Sequence, residues 1–157
     1  MHDLTWNDVA EWFEPDGSLL DAYVLDADET DWQRVIDLVR SQGWRFDYTV
    51  EGQSLPLPQR AADIFAHRCE AAVTMHIWPA PQLMVNTHFF SEDEVEFDFD
   101  RTELQGQNQL DLLCCFMRSL GRQLGKPVRL TPENSPEHTL VIYSPGHDRF
   151  TATIRKK

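Results

Sequence analysis

Apolar positions recur at two spacings along this chain, and the change from one spacing to the other lays out its elements. Trp6, Val9, Ala10 and Phe13 follow the helical i, i+3, i+4, i+7 pattern. They predict a short helix over 5–13, with Asp8 and Glu11 on its polar side and Asp3 or Thr5 as its cap. The turn residues EPDG at 14–17 end it, and LLDAYVL at 19–25 reads as a short apolar strand. Trp32, Val35, Ile36 and Val39 form the stripe of a helix over 30–42. Thr30 and Gln33 have capping-box spacing at its start, and Gly43 suits the position after its end. In WRFDYTVEG, Trp44, Phe46, Tyr48 and Val50 alternate with Arg45, Asp47, Thr49 and Glu51, which is the period of a half-exposed strand.

Pro56 and Pro58 break the pattern in a loop that feeds a short helix over 59–68. Three strands are predicted next, over 72–78, 83–90 and 94–100, joined by PAPQ and by an acidic turn around SED. Connections this short predict an antiparallel meander. A long helix follows over 107–124. Its core stripe is Leu110, Leu113, Met117, Leu120 and Leu124, widened by Leu112, Cys115 and Phe116 as if it were covered on more than one side. Gly125 and Pro127 stop it. PVRLT at 127–131 reads as a strand, PENSPEH as a loop, and TLVIYS with RFTATI as a hairpin turning at 145–148. The order predicts one α+β (or mixed α/β) domain over residues 1–157, with about four helices on a largely antiparallel sheet around a central β-meander.

The chain's 157 residues, 41% hydrophobic with five Trp and nine Phe, are enough for a self-sufficient core. The N-terminus MHDLTWNDVAEWF carries acids where a signal peptide carries bases, and no apolar run has membrane-spanning length. A cytoplasmic protein is expected. Cys69, Cys114 and Cys115 fit that placement as reduced, buried thiols, without the spaced pairs of a metal site.

Charge changes this picture most. The net charge is −12, and it is unevenly spread. Residues 1–33 hold ten acids and no Lys or Arg, and residues 92–100 hold six acids and no base. Residues 101–157 carry nine bases against five acids. Such a field opposes binding to nucleic acid or an anionic membrane, both of which require a basic footprint. It favours encounter with a basic protein.

In SEDEVEFDFD, residues 91–100, Glu94, Glu96, Asp98 and Asp100 share one parity and Val95, Phe97 and Phe99 the other. Strand geometry sets alternate residues about 6.5–7 Å apart, in a line rather than a cage, which suits neither a Ca²⁺ shell nor an acid/base pair in contrasting environments. Two readings remain. The row is a solvated sheet face partly paired with Arg45 or Arg101, or it is an acidic recognition surface. His76 and His88 both fall in the meander, and register decides whether they share a face. His67, His138 and His147 lie in a helix or loops without zinc spacing. Ser144, His147 and Asp148 sit in one hairpin turn, too close in sequence to converge as a triad. No phosphate-binding Gly-rich loop and no G-x-S-x-G occur.

From residue 89 onward, FFSEDEVEFDFDRTELQGQ and then LGRQLGKPVRLTPENSPEHTLVIY resemble small bacterial cytoplasmic proteins of the immunity type found in polymorphic toxin systems. The resemblance rests on acids interleaved with aromatics and on the segment KPVRLTPEN, and it matches no active-site motif. It implies a compact α+β domain that binds and blocks a toxin.

The reading that results is a non-enzymatic acidic binding protein, without cofactor or metal. Its expected surface combines Glu94, Glu96, Asp98 and Asp100 with Asp8, Glu11, Asp28 and Asp31, and its partner is a basic toxin such as a nuclease. One alternative is a small-ligand or enzymatic domain with a pocket between the sheet and the long helix, marked by His76 or His88 converging with a carboxylate. Another is a homodimeric interaction domain using an exposed strand edge, so monomer and homodimer both stay open.

Overall fold

The computed structural model describes residues 3–153. Nine strands form one antiparallel sheet: β1 (Leu19–Val24), β2 (Arg45–Val50), β3 (Gln53–Ser54), β4 (Val73–Ala80), β5 (Leu83–Thr87), β6 (Val95–Asp100), β7 (Val128–Pro132), β8 (Val141–Ser144) and β9 (Arg149–Ala152). Their order is β3-β2-β4-β5-β6-β1-β7-β8-β9. The meander β4-β5-β6 therefore forms as its short connections require. The N-terminal strand β1 is inserted between it and the C-terminal strands.

Four α-helices are present among the described residues: α1 (Trp6–Val9), α2 (Glu29–Ser41), α3 (Ala61–Arg68) and α4 (Gln107–Leu124). Together with the sheet they make an α+β fold. The helix expected over 5–13 is shorter than its periodicity suggests. Val9 leaves helical geometry, and residues Ala10–Phe13 continue as a tighter 3-10 turn. That turn takes Phe13 to 0% exposure in the core and leaves Trp12 half-buried.

Helix α2 starts two residues earlier than its Thr30–Gln33 spacing predicts. Asp28 is the N-cap, accepting from the Asp31 N–H at 2.9 Å, while the Asp31 carboxylate accepts from the Asp28 N–H at 3.1 Å. Two carboxylates in the first turn also suit the positive end of the helix dipole. Gly43 at φ 66° takes the left-handed position after the helix, as expected.

The core lies between the helices and one sheet face. Phe116 of α4 meets Phe97 and Phe99 of β6 at 5.1 and 5.9 Å between ring centroids. Trp32 of α2 meets Phe65 of α3 and Phe89 at 5.7 and 4.9 Å. At Gly121, α4 presses so close to β8 that a Cβ would stand 2.6 Å from the Tyr143 ring. Of the three cysteines, only Cys114 is buried. Cys69, at the end of α3, is exposed, and so is Cys115, because α4 is covered on one side only and Leu112 and Cys115 fall at its uncovered margin.

Candidate functional site

The sheet's second face is set by β6 and its neighbours. Val95, Phe97 and Phe99 are spent on the core, so Glu96, Asp98 and Asp100 point the other way. Strand β1 pairs with β6 along its whole length, Leu19 opposite Asp100, Asp21 opposite Asp98 and Tyr23 opposite Glu96. The two base-free segments are thus adjacent strands. The parity of LLDAYVL, which sends Leu20, Ala22 and Val24 inward, sends Asp21 and Tyr23 to the carboxylate face.

This face is not a uniformly wet one. Glu94 and Glu96 are half-buried, Asp100 is exposed, and Asp98 is only 7% exposed. Asp21 is 1% exposed, covered in part by the loop after β7, whose Asn134 N–H donates to Asp21 Oδ2 at 2.8 Å. Neither expected arginine compensates the row. Arg45 lies over the Trp78 ring, and Arg101 is buried at the far end, donating to the Trp12 carbonyl and facing Asp16 at 3.6 Å. Among the described residues no Lys or Arg forms an ion pair with Asp21, Glu94, Glu96, Asp98 or Asp100.

Histidine and amide groups satisfy Asp98 instead. The register Asp47–His76–Asn86–Asp98 runs across four strands, so His76 and His88 share this face, opposite to α4. His76 Nδ1 donates to Asn86 Oδ1 at 2.5 Å, and Asn86 Nδ2 donates to Asp98 Oδ1 at 3.0 Å. His88 Nε2 donates to Asp98 Oδ2 at 2.9 Å, which leaves Nδ1 of the neutral ring to accept from the Thr74 hydroxyl at 3.1 Å.

The electrostatics follow from burial and like charge. Glu96 is pushed up to about 7, first by burial and then by the Asp21 and Asp98 carboxylates, against a smaller opposing effect of His88. Burial also raises Asp21, with Asp98 and Glu133 adding to it and the Asn134 N–H and Tyr23 hydroxyl opposing it. His88 is raised by its hydrogen bond to Asp98. Burial raises the Tyr23 phenol, so it stays a hydrogen-bond donor to Asp21 Oδ2 at 3.2 Å.

Of the remaining acids, Asp8 and Glu11 are exposed, and Glu11 and Trp12 line a cleft of about 360 Å³ with His138 and Leu140. Asp28 is exposed at the Glu94 end. There Asp26, Asp93 and Glu94 line a recess of about 470 Å³, and the Ala27 N–H donates to the Asp93 carbonyl at 2.8 Å. Asp31 is different. It is 2% exposed and accepts from Lys126 Nζ at 2.6 Å, so its carboxylate is turned inward.

Sequence reasoning passed over Asp21, Tyr23 and Asn86. The signal for Asp21 was a lone carboxylate in an apolar strand, at the parity opposite its three aliphatic neighbours. Chemically, Thr74, His88 and Asp98 align a hydroxyl, an imidazole and a carboxylate. Strand β4 is paired on both sides, however, which commits the amides around Thr74 to the ladders rather than to a developing oxyanion. No three His, Cys, Asp or Glu among the described residues are arranged to hold a metal ion. No helix among the described residues is long and apolar enough to cross a membrane. Comparison with protein-family models, curated proteins and solved structures finds no match to this chain.

Proposed function

We propose that this chain is a non-enzymatic binding protein of the immunity type, and that it takes a basic protein surface along β1 and β6. The observation that carries the reading is the Asp21–Glu96–Asp98 cluster, held on adjacent strands without a Lys or Arg partner among the described residues. Like charges crowded on a half-buried face are costly, and an arriving ammonium or guanidinium group relieves that repulsion. Glu94, Glu96 and Asp100 offer accessible carboxylates, with Asp8, Glu11 and Asp28 adding to the field. Asp98 and Asp21 act from beneath by their charge. Asp31 serves the fold, holding Lys126 and the start of α2. The partner that fits is a basic toxin such as a nuclease, drawn in by long-range attraction and blocked by occlusion.

The test is stopped-flow association with the basic partner captured from the expressing cells, at several salt concentrations. Reversing Glu94 and Glu96 to Lys is expected to slow association about tenfold or more at low salt and to flatten its salt dependence. An association rate untouched by the reversal sinks the proposal.

A further inference from the structure

Where β2 begins and β4 ends, three clefts share residues and run together as one groove. The first, about 530 Å³, lies where β2 begins and β4 ends and is lined by Trp44, Arg45, Trp78, Pro79 and Pro81. The second, about 220 Å³, shares Trp44 and Pro79 and continues onto the uncovered margin of α4 at Leu112, Cys115 and Phe116. The third, about 250 Å³, follows from Ser119 toward Arg122 and Gln123. The first cleft alone is within the range of about 300–1,000 Å³ that small ligands occupy.

Two properties of the lining define what it would take. In a chain of net charge −12, no Asp or Glu lines any of the three clefts. The walls of the first two are mostly aromatic, aliphatic and proline surface beside Gln42, with Trp44 held by Phe116 at 5.8 Å between rings. The second property is Arg45. Its guanidinium carbon sits 4.2 Å from the Trp78 ring centroid. Among the described residues no carboxylate forms an ion pair with it. Arg122, farther along, is already bridged to Asp148 at 2.9 Å. Arg45 is thus an exposed, uncommitted fork beside an apolar slot, a group that can take a carboxylate in two hydrogen bonds.

We propose that this groove is a binding site for planar aromatic carboxylates, the ring lying between Trp44 and the Pro79–Pro81 turn and the carboxylate on Arg45. The site differs in charge from the carboxylate row of β1 and β6 and lies at the start of β2 and the end of β4.

Isothermal titration of the full chain with 2-naphthoate tests it, with uncharged 2-naphthamide as control. Saturable binding of the acid is expected, weaker by about tenfold for the amide and for Arg45→Ala, with Arg45→Lys in between. Exposed Cys115 borders the ring's place and exposed Cys69 does not, so both thiols report on location. Saturating 2-naphthoate should slow iodoacetamide alkylation of Cys115 several-fold and leave Cys69 unchanged, read by peptide mass spectrometry. No saturable binding, equal binding of acid and amide, unaltered affinity in Arg45→Ala, or equal protection of the two thiols overturns the proposal.

Discussion

Asp21 and Asp98 are cross-strand partners on the β1–β6 ladder, 1% and 7% exposed, and neither pairs with a Lys or Arg among the described residues. Asp98 draws its hydrogen bonds from His88 and Asn86, and Asp21 from Tyr23 and the Asn134 backbone. The carboxylates of this face are therefore satisfied by neutral or titrating donors. That choice makes the protein's stability depend on pH.

Glu96 carries the clearest dependence. Its folded value of about 7 lies above the ordinary 4.5, so the native state holds a proton that the unfolded chain releases. The resulting stability is fully present below pH 4.5 and is lost as pH rises through about 7. Asp21 and His88, also raised, act in the same direction. Glu96→Gln should therefore be more stable than the parent by about 1–3 kcal/mol at about pH 8, and nearly equal to it at about pH 4. Urea denaturation of both proteins across this range checks the sign. A gain that grows toward low pH would contradict it.

His88 reports on Asp98. Replacing Asp98 with Asn removes the anion that favours the imidazolium, while burial, which opposes it, remains. The His88 titration should move down, followed by long-range ¹H–¹⁵N correlation of the ring, and an unmoved titration would contradict the pairing.

Asp28 and Asp31 share a capping box but not a burden. Asp28→Ala removes one cap acceptor from an exposed site and should lower stability only modestly. Asp31→Ala also takes the buried carboxylate from Lys126, leaving it the Asp26 carbonyl, and should cost about 2–4 kcal/mol. Chemical denaturation that ranked Asp28 above Asp31 would refute the assignment of Asp31 as the structural member.

Gly121 is where α4 meets β8. Gly121→Ala must displace the Tyr143 ring, which is 0% exposed and donates its hydroxyl to Asp148 at 2.7 Å. Overpacking of this kind should cost about 1–3 kcal/mol, seen as a lowered Tm. An unchanged Tm would show that the ring yields freely.

Periodicity carried most of the fold. The Leu110–Leu124 stripe and the strict alternation through Phe99 reached the structure nearly unaltered, because spacing alone decides which side chains share a face. Local signals misled where two solutions competed. Thr30 and Gln33 have cap spacing, but Asp28 and Asp31 also satisfy both donors and place Asp31 against Lys126, 95 residues away. Cys115 read as core because it widens an apolar stripe. What covers a helix margin is a property of its neighbours.

The candidate site divides in the same way. From the sequence by itself came the parity of Glu94, Glu96, Asp98 and Asp100, the absence of bases in two segments and the unsuitability of a straight strand as a metal cage. Those follow from backbone geometry and residue type. The tertiary structure alone decided that β1 lies beside β6, that Asp21 joins the row, that His88 rather than an arginine meets Asp98, and that Arg45 is drawn away to Trp78. Strand order and register join residues scores of positions apart, and burial then sets their charge. Neither quantity is encoded in any one segment, so neither is read from it.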